Sequence, residues 1–423
     1  MNSELAVAGG TPTVNRPLGP FNAIGAREKA AVIEFLDNGG LQSGFHGSAR
    51  PSFFGGEHVQ AFEQAWSDRF GVKHSVSVNS STSGLMAAMG AVGIGPGDEV
   101  IIPPYTMSAT ALAPLVYGGI PVFVDIDPEY YCLDLDKVAA AITPATKAII
   151  AVNLFGHPAE LIQLRALADA KGLYLIEDNA QGVLAEDNGR LAGTIGHIGV
   201  YSLNVHKHIQ VGEGGVCVTN DAQLALRLQL IRNHGENVID WLGVQDLTNL
   251  IGFNYRMTEI TAVMARVQLD RVDELVGRVE RICNALTAGL SDLAGFTPPK
   301  VRSGCRHNYY MWSAQFDVEQ VGASREKFSQ ALAAEGFPNS CGYVRPIYQL
   351  PMFQKRIAMG SKGFPFNWEG RKIEYPMGLC PVTERMHHQI LIQFQPVSWT
   401  VDDEQVAMLI KAVRKVHQNA KLL

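Results

Sequence analysis

Residues 202–215 read Ser202-Leu-Asn-Val-His-Lys207-His-Ile-Gln-Val-Gly212-Glu-Gly-Gly215. This stretch joins two apolar runs of strand-like composition, Gly199-Val-Tyr-Ser202 and Gly215-Val-Cys-Val218. A hydroxyl lies five residues before a lysine, and a glycine-rich turn begins five residues after it. The pattern predicts a strand, a loop that carries the lysine, and a second strand.

Further apolar runs lie upstream of this stretch and alternate with helical patterns. These runs are residues 74–78, 99–102, 121–125, 148–152 and 173–177. Between them, segments such as residues 161–170 have apolar side chains at positions i, i+3 and i+4, the spacing of one helix face. Apolar strands that alternate with amphipathic helices favour an α/β fold. We expect a large domain with a mostly parallel, mixed seven-stranded sheet, covered on both faces.

A long helical pattern follows the strands, from about residue 257 to residue 286. The Pro298-Pro299 pair then interrupts the chain, and a more mixed pattern continues to its end. The sequence therefore predicts two domains. The large one covers residues 1–285 with an N-terminal arm, and a smaller α+β domain covers residues 286–423.

Composition excludes several classes of protein. The 423 residues are 47% hydrophobic and 18% charged, with a formal net charge of −6. Charges of both signs are scattered, which disfavours nucleic acid and membrane surfaces as partners. The N-terminus lacks the pattern of a secretion signal, and no apolar run approaches the ~20 residues of a membrane helix. We expect a cytoplasmic protein whose six cysteines are free thiols.

Lys207 and its neighbours point to a cofactor that carries an aldehyde. A desolvated lysine has a depressed pKa, and its free amine can attack a carbonyl. Asp178 follows the run 173–177, at a strand end where ligands of open α/β sheets bind. With an amide at Gln181, these groups match the needs of pyridoxal phosphate (PLP). A solvated lysine and a helix-capping aspartate are the alternatives.

Ser81 and Thr82 are candidates for binding the phosphate of such a cofactor. They lie between a strand-like run that ends at Val78 and a helical pattern that includes Leu85. Free N–H groups and the dipole at a helix N-terminus bind anions. Residues of these types also act as simple helix caps, so this motif alone does not separate the two roles.

The other motifs give no competing site. Gly93-Ile-Gly95-Pro-Gly97 precedes a strand, whereas a dinucleotide-binding loop follows one. His206 and His208 flank the lysine at alternate positions, but a metal site needs further ligands at matched distance. The sequence predicts no metal site.

Several motifs, spread over nearly the whole chain, occur in a definite order. They are Leu5-Ala-Val-Ala-Gly-Gly-Thr-Pro12, Gly95-Pro-Gly-Asp-Glu-Val-Ile-Ile-Pro103, Ile142-Thr-Pro-Ala-Thr-Lys-Ala-Ile149, Glu177-Asp-Asn-Ala-Gln181, the stretch 202–215, and Gly252-Phe-Asn-Tyr-Arg-Met-Thr-Glu259. In these motifs the chain resembles the DegT/StrS-type sugar aminotransferases, within the fold type I (aspartate aminotransferase) superfamily. The resemblance implies PLP-dependent transfer of an amino group.

The resemblance also implies a role for each matching position. Lys207 is similar to the lysine that binds PLP covalently, Asp178 to the partner of its ring nitrogen, and Gln181 to the contact of its phenolic oxygen. The implied phosphate ligands are Ser81, Thr82 and Ser202. Asn254 resembles the asparagine that reaches the phosphate from the neighbouring subunit. A homodimer with a shared active site is therefore implied.

Two positions distinguish this chain within the family it resembles. The family usually stacks an aromatic residue on the cofactor ring, and this chain has Thr106-Met107 in its place. A thioether can cover a ring face, and Tyr105 is the alternative. The family also contains dehydratases in which histidine replaces the lysine. Counting from Ser202 places Lys207 in register, which favours transamination.

The expected reaction moves an amino group from glutamate or glutamine to a keto or aldehyde group of a sugar or cyclitol. The N-terminal Gly-Gly-Thr-Pro resembles the branch that acts on inosose-type cyclitols. Lys207 would move the proton between substrate and cofactor. His307 and Tyr309 are candidates for contacts with the acceptor, or else parts of a small-domain strand. The alternatives are a PLP- or pyridoxamine-dependent sugar dehydratase of the same fold and a PLP-binding regulator without turnover.

Overall fold

The computed structural model of the chain describes residues 4–40 and 44–423. The α-helices are α1 (Ala26–Asp37), α2 (Glu57–Phe70), α3 (Ser81–Ala91), α4 (Ala109–Leu115), α5 (Leu135–Ala141), α6 (Leu161–Lys171), α7 (Ala222–Arg232), α8 (Ile239–Leu242), α9 (Glu259–Leu269), α10 (Val272–Leu290), α11 (Val318–Val321), α12 (Arg325–Ala334), α13 (Pro351–Lys355), α14 (Pro381–Arg385) and α15 (Asp403–Gln418). The strands are β1 (Gly19–Pro20), β2 (His74–Val78), β3 (Glu99–Ile102), β4 (Ile120–Phe123), β5 (Thr146–Val152), β6 (Tyr174–Asp178), β7 (Glu186–Asp187), β8 (Arg190–Leu191), β9 (Ile198–Ser202), β10 (Gly215–Thr219), β11 (Phe296–Thr297), β12 (Cys305–Arg306), β13 (Trp312–Phe316), β14 (Ser340–Cys341), β15 (Leu391–Phe394) and β16 (Trp399–Thr400).

A seven-stranded mixed sheet forms the centre of the molecule, with the strand order β2-β10-β9-β6-β5-β3-β4. β10 runs antiparallel to both of its neighbours. The other neighbouring strands pair in parallel. This arrangement confirms the predicted α/β fold and its mostly parallel, mixed seven-stranded sheet.

The two faces of this sheet pack into different hydrophobic clusters. Along β5, Ala148 and Ile150 belong to one buried cluster, while Ile149 and Ala151 belong to another. Successive side chains of a strand point to opposite faces, so a strand buried on both sides is apolar throughout. This burial explains why the strands appear in the sequence as continuous apolar runs instead of alternating ones.

The prediction of one long helix from residue 257 to residue 286 is wrong, because α9 and α10 are separate helices. The chain leaves the helical conformation at Arg271, where φ is −110° and ψ is 8°. The guanidinium of Arg271 forms an ion pair with the buried carboxylate of Glu28 in α1, with an N–O distance of 2.9 Å. Apolar spacing along the sequence does not reveal this break, at which Arg271 pairs with a carboxylate far away in the chain.

A smaller antiparallel sheet, with the order β11-β13-β15-β14, forms the second unit. Helices α10, α12 and α15 contribute to the same buried cluster. The predicted boundary between residues 285 and 286 lies inside α10, which continues across it without interruption. The division of the chain at this position stays a prediction.

The N-terminal arm packs on the C-terminal part of the chain. β1 pairs with β16, and the backbone N–H of Val14 donates to the carbonyl of Glu335 at 2.9 Å. In the opposite direction, Tyr348 and Phe353 join the hydrophobic cluster beside α3 and α4. The N-terminal arm thus packs against the C-terminal part of the chain, and residues from that part pack beside the seven-stranded sheet. No helix in residues 4–40 or 44–423 is long and apolar enough to cross a membrane.

Candidate active site

A cavity of about 290 Å³ lies where the parallel strands β5, β6 and β9 end. Val152, Asp178 and Ser202, the last residues of these strands, line it together with the N-terminal ends of α3 and α4. Carboxyl ends of neighbouring parallel strands are the usual ligand-binding edge of an α/β sheet. The cavity brings together most of the residues that the sequence predicts for the site, namely Ser81, Thr82, Met107, Asp178, Gln181, Ser202 and Lys207.

The N-terminus of α3 faces this cavity with its backbone donors. The hydroxyl of Ser80 caps the helix by accepting from the N–H of Ser83 at 3.1 Å, and Ser81 and Thr82 form the first turn. A Cβ at Gly215 would lie 2.7 Å from the nitrogen of Ser81. Glycine at this position therefore lets β10 approach the helix start. The free N–H groups and the helix dipole make this end of the cavity suitable for an anion.

Lys207 lies in the loop between β9 and β10 and reaches into the cavity. Its backbone N–H donates to the carbonyl of Asn204 at 2.9 Å. The residue keeps some solvent contact, yet desolvation lowers the pKa of its amine to about 8, against the opposing effect of the charge on Asp178. An amine with this pKa can accept and return a proton near neutral pH.

Asp178 is a buried carboxylate with two defined donors. Its Oδ2 accepts from the hydroxyl of Thr110 at 2.8 Å, and its Oδ1 accepts from the N–H of Ala180 at 3.2 Å. Burial raises the pKa of Asp178, while these hydrogen bonds and the charge of Lys207 act in the opposite direction. Each donor stabilises the ionised form of the carboxyl group.

Gln181 is held in one orientation by two partners. Its Oε1 accepts from the backbone N–H of Phe155 at 2.6 Å, and its Nε2 donates to the hydroxyl of Tyr343 at 3.1 Å. Because the oxygen is used by the backbone, the amide presents its N–H groups toward the side of the cavity that Tyr343 lines. A donor in this place suits an anionic oxygen on a ligand.

Met107 and Tyr105, the two candidates for covering a cofactor ring, lie in different environments. Met107 lines the cavity and its side chain is 51% exposed. Tyr105 is fully buried outside the cavity lining, where its hydroxyl accepts from the N–H of Tyr343 at 2.7 Å. Of the two, Met107 is the residue in place to contact a ligand.

Asn254 does not line the cavity that contains Lys207. It is exposed, its Oδ1 accepts from Nε of Arg256 at 2.8 Å, and it borders a separate groove with Phe45. Its backbone carbonyl accepts from Nδ2 of Asn79 at 3.2 Å, two residues before Ser81, but Asn254 itself does not line the cavity. The role across a subunit interface stays a prediction.

His307 and Tyr309 are buried next to the cavity but do not line it. Their rings stack with a centroid distance of 4.0 Å. The residue that lines the cavity from this loop is Tyr310. The contacts with the acceptor that we expect of His307 and Tyr309 stay predictions. The ring of this loop that faces the cavity is that of Tyr310.

The histidines beside Lys207 have different environments. His206 is exposed at the cavity, whereas His208 is buried with its Nε2 3.2 Å from the carbonyl oxygen of Asn308. Burial lowers the pKa of His208 to about 3, so its ring is neutral. Within the described ranges, no group of three or more His, Cys, Asp or Glu side chains could hold a metal ion.

Thr110, Tyr310 and Tyr343 are site residues that the sequence reasoning missed. Thr110 lies in the first turn of α4, three residues after Met107, so a search of the helix start beside the predicted stacking residue could have found it. Tyr310 and Tyr343 come from the C-terminal third of the chain and reach the cavity through the tertiary fold. Tyr310 directly follows Tyr309, which the sequence analysis singled out, whereas no motif in the sequence marks Tyr343.

The family model described as the DegT/DnrJ/EryC1/StrS aminotransferase family matches residues 48–414. The chain belongs to this family. It is 33% identical to the L-glutamine:2-deoxy-scyllo-inosose aminotransferase of Streptomyces kanamyceticus, over 100% of this chain and 99% of that protein. It is 36% identical to the GDP-perosamine synthase of Caulobacter vibrioides, over 70% of this chain and 79% of that protein.

Solved structures of the family have the same architecture. The crystal structure of DesI in the presence of its TDP-sugar product matches with a TM-score of 0.81 and 29% identity, over 100% of this chain and 98% of that chain. The resemblance to DegT/StrS-type enzymes is therefore confirmed, and the chain is an aminotransferase with the fold type I architecture. The names of the two relatives contain different compounds: one names the cyclitol 2-deoxy-scyllo-inosose as a substrate, and the other names the nucleotide-linked sugar GDP-perosamine as a product.

Proposed function

We propose that this DegT/StrS aminotransferase uses PLP to move an amino group from glutamine or glutamate to a keto or aldehyde group of a cyclitol or sugar. One observation carries the proposal: an amine of lowered pKa, a buried carboxylate and a helix N-terminus line a single cavity. The relative named for L-glutamine and 2-deoxy-scyllo-inosose, which matches this chain over its whole length, supports the donor and the cyclitol acceptor.

The chemistry of the cavity fits PLP. The α3 N-terminus with Ser81 and Thr82, and the hydroxyl of Ser202, offer donors that would hold the phosphate. The carboxylate of Asp178 would keep the ring nitrogen protonated, and the amide of Gln181 would donate to the phenolic oxygen. Met107 would cover one face of the ring.

Lys207 is the proposed general base and general acid. When bound, PLP supplies an aldehyde that carries the amino group and a ring that accepts electrons from the substrate carbon. Lys207 would hold the cofactor covalently until the amino donor displaces it. Once free, its Nζ would move a proton between the substrate carbon and the cofactor carbon that bears the transferred nitrogen, which its pKa of about 8 permits. Burial raises the pKa of Asp178, and the hydrogen bonds from Thr110 and Ala180 act against burial and favour the ionised carboxylate.

A second copy of the chain would complete the phosphate site. Asn254 is exposed and lies in a groove apart from Lys207. This exposed amide, whose Oδ1 accepts from Arg256, would donate from its Nδ2 in the cavity of a neighbouring subunit. The proposed assembly is a homodimer in which each cavity receives Asn254 of the partner subunit.

The covalent role of Lys207 is tested by incubating the protein with PLP, reducing it with borohydride and mapping the labelled peptide by mass spectrometry. We expect the label on Lys207 and its loss in Lys207→Arg. The control Lys147→Arg changes a partly exposed lysine outside the cavity and should keep the label. Label on other lysines alone, or no label, would overturn the proposal.

The PLP-loaded protein, without borohydride reduction, identifies the substrates. Glutamine and glutamate are added separately, and the loss of the visible absorbance of the lysine-bound cofactor reports the amino donor. A keto-cyclitol and a nucleoside-diphosphate keto sugar are then compared as acceptors by product mass. Sugar deoxygenation without amine transfer would contradict the aminotransferase proposal and support the dehydratase alternative.

A further inference from the structure

We propose that Tyr310 is a positioning residue for Lys207, whose ring face holds the protonated amine at one place on the cavity wall. The Nζ of Lys207 lies 4.2 Å from the centroid of the Tyr310 ring. Tyr310 is 6% exposed and lines the same cavity. The contact is made by two side chains of the protein without a cofactor. Only its role in catalysis rests on the proposed function.

The contact matters because Lys207 has no ion pair within the described part of the chain. Its amine is desolvated, and Asp178 acts on it through charge without forming a salt bridge. A cation over the face of an aromatic ring is attracted by the ring quadrupole, and the attraction strengthens when water is excluded. The ring of Tyr310 is therefore the direct contact that favours the ammonium over the neutral amine.

Asn308 fixes the backbone that carries this ring. Its Oδ1 accepts from the N–H of Tyr310 at 3.0 Å, and its Nδ2 donates to the carbonyls of Gln181 and Val183, both at 2.8 Å. A Cβ at Gly156 would lie 1.7 Å from Oδ1 of Asn308, so only glycine leaves room for this amide. The tyrosine loop is thereby fastened to the loop of Gln181, which belongs to the same site.

The two neighbours of Asn308 support the same geometry. Tyr309 has a φ of +53°, in the left-handed region that costs a residue with a Cβ about 1 kcal/mol or more. The ring of His307 stacks on Tyr309, and its Nδ1 accepts from the N–H of that residue at 3.1 Å. These contacts hold a turn after which Tyr310 faces the cavity. His307 and Tyr309 thus act on the site through their neighbour.

The Tyr310 ring shifts the pKa of Lys207 in a definite direction. A ring face stabilises the charged amine, so it raises the pKa of Lys207 and partly offsets the desolvation that lowers it. Without the ring the pKa of Lys207 falls further. During turnover, the ring would hold the amine between the moment at which it takes a proton and the moment at which it returns it.

The test measures the pKa of Lys207 in the cofactor-free protein. The rate at which a small acylating reagent modifies Lys207 is followed by mass spectrometry as a function of pH. We expect Tyr310→Phe to keep the wild-type midpoint and Tyr310→Leu to lower it by about half to one pH unit. The control Tyr174→Leu removes a partly exposed ring that does not line the cavity and should leave the midpoint unchanged.

A fluorinated series at position 310 separates the ring charge from packing. Phenylalanine analogues with increasing fluorination keep nearly the same shape while their ring faces become less negative. The Lys207 midpoint should fall stepwise along the series, even if Tyr310→Leu does not fold. An unchanged midpoint along the series would overturn the inference. PLP labelling of Lys207 tests the proposed function separately. The role of Tyr310 and the use of PLP can therefore each fail without affecting the test of the other.

Discussion

At the residue scale, the ionisation of Asp178 depends on a balance between burial and hydrogen bonding. Burial in the sheet raises the pKa of its carboxyl group. A hydrogen bond to a charged group is worth about 1.5–3 kcal/mol, so the loss of one donor is enough to shift this balance. The hydroxyl of Thr110, 2.8 Å from Oδ2, is the side-chain donor.

We therefore expect Thr110→Val to raise the pKa of Asp178 and to reduce kcat/KM roughly tenfold near neutral pH. Asp178 is ionised above its pKa, so the acidic limb of the pH–rate profile should move to higher pH. Thr110→Ser keeps the hydroxyl and should retain the wild-type profile. An equal loss in both variants, with unmoved acidic limbs, would show that Thr110 acts only through packing.

At the element scale, the position of α3 is set by how closely it packs on the sheet. A Cβ at Gly84 would lie 2.8 Å from Cγ1 of Val200 and 3.0 Å from Sγ of Cys217. Glycine inside a helix usually costs stability relative to alanine. Here it allows the helix to lie against β9 and β10, which places its N-terminus at the cavity.

Gly84→Ala should push α3 away from the sheet and destabilise the protein by about 1–3 kcal/mol. The displaced helix start should also weaken binding of PLP, measured by fluorescence titration. The matched control is Gly277→Ala in α10, where a new Cβ meets no atom within 4 Å. The control should be neutral or stabilising by up to ~1 kcal/mol. Equal effects of the two substitutions on PLP affinity would refute the close-packing argument.

At the scale of the whole molecule, one buried carboxylate ties three distant segments together. Glu335 accepts from the N–H of Ala6 and the N–H of Thr13, both at 2.9 Å, and pairs with Lys415 at 2.8 Å. Burial alone would raise the pKa of Glu335, but the bonds from Lys415, Thr13 and Ala6 outweigh it and hold the pKa below its ordinary value. The N-terminal arm is anchored to α15 through this group.

Glu335→Gln should lower the free energy of unfolding by about 2 kcal/mol at pH 7. A depressed carboxyl pKa gives stability that is present above the unfolded value of about 4.3 and is lost as pH falls through the folded pKa. The variant should therefore lose less stability than the wild type on acidification. The control Glu404→Gln changes an exposed partner of Arg16 and should have little effect. Parallel acid-denaturation curves would contradict this account.

The proposed sharing of the active site between two subunits gives a complementation test at the same scale. Lys207→Ala and Asn254→Ala should each be nearly inactive, yet a mixture of refolded subunits should regain about a quarter of wild-type turnover. Half of the dimers are then mixed, and one of their two sites is intact. A mixture of Lys207→Ala with Asp178→Ala, both in one cavity, should not recover. Failure of the first mixture would place Asn254 in its own subunit.

Much of the fold and part of the site are predictable from the sequence because the signals are local. Strands buried on both faces are apolar throughout, and Ser202, Lys207 and the glycine turn lie within one short stretch. The break between α9 and α10 was not predictable from apolar spacing, because buried apolar residues such as Leu269, Val272 and Leu275 continue the pattern across Arg271.

The sequence by itself determined the strand–helix alternation and the lysine, carboxylate and hydroxyl groups of the cavity, since neighbouring residues specify both. Only the tertiary structure decided which groups surround them. Thr110 meets Asp178 across 68 positions of the chain, and Tyr343 meets Gln181 across 162. The ring of Tyr310 faces Lys207 from a loop in which Asn308 donates to the carbonyl of Gln181. Such contacts are set by the packing of distant segments, which spacing along the chain does not encode.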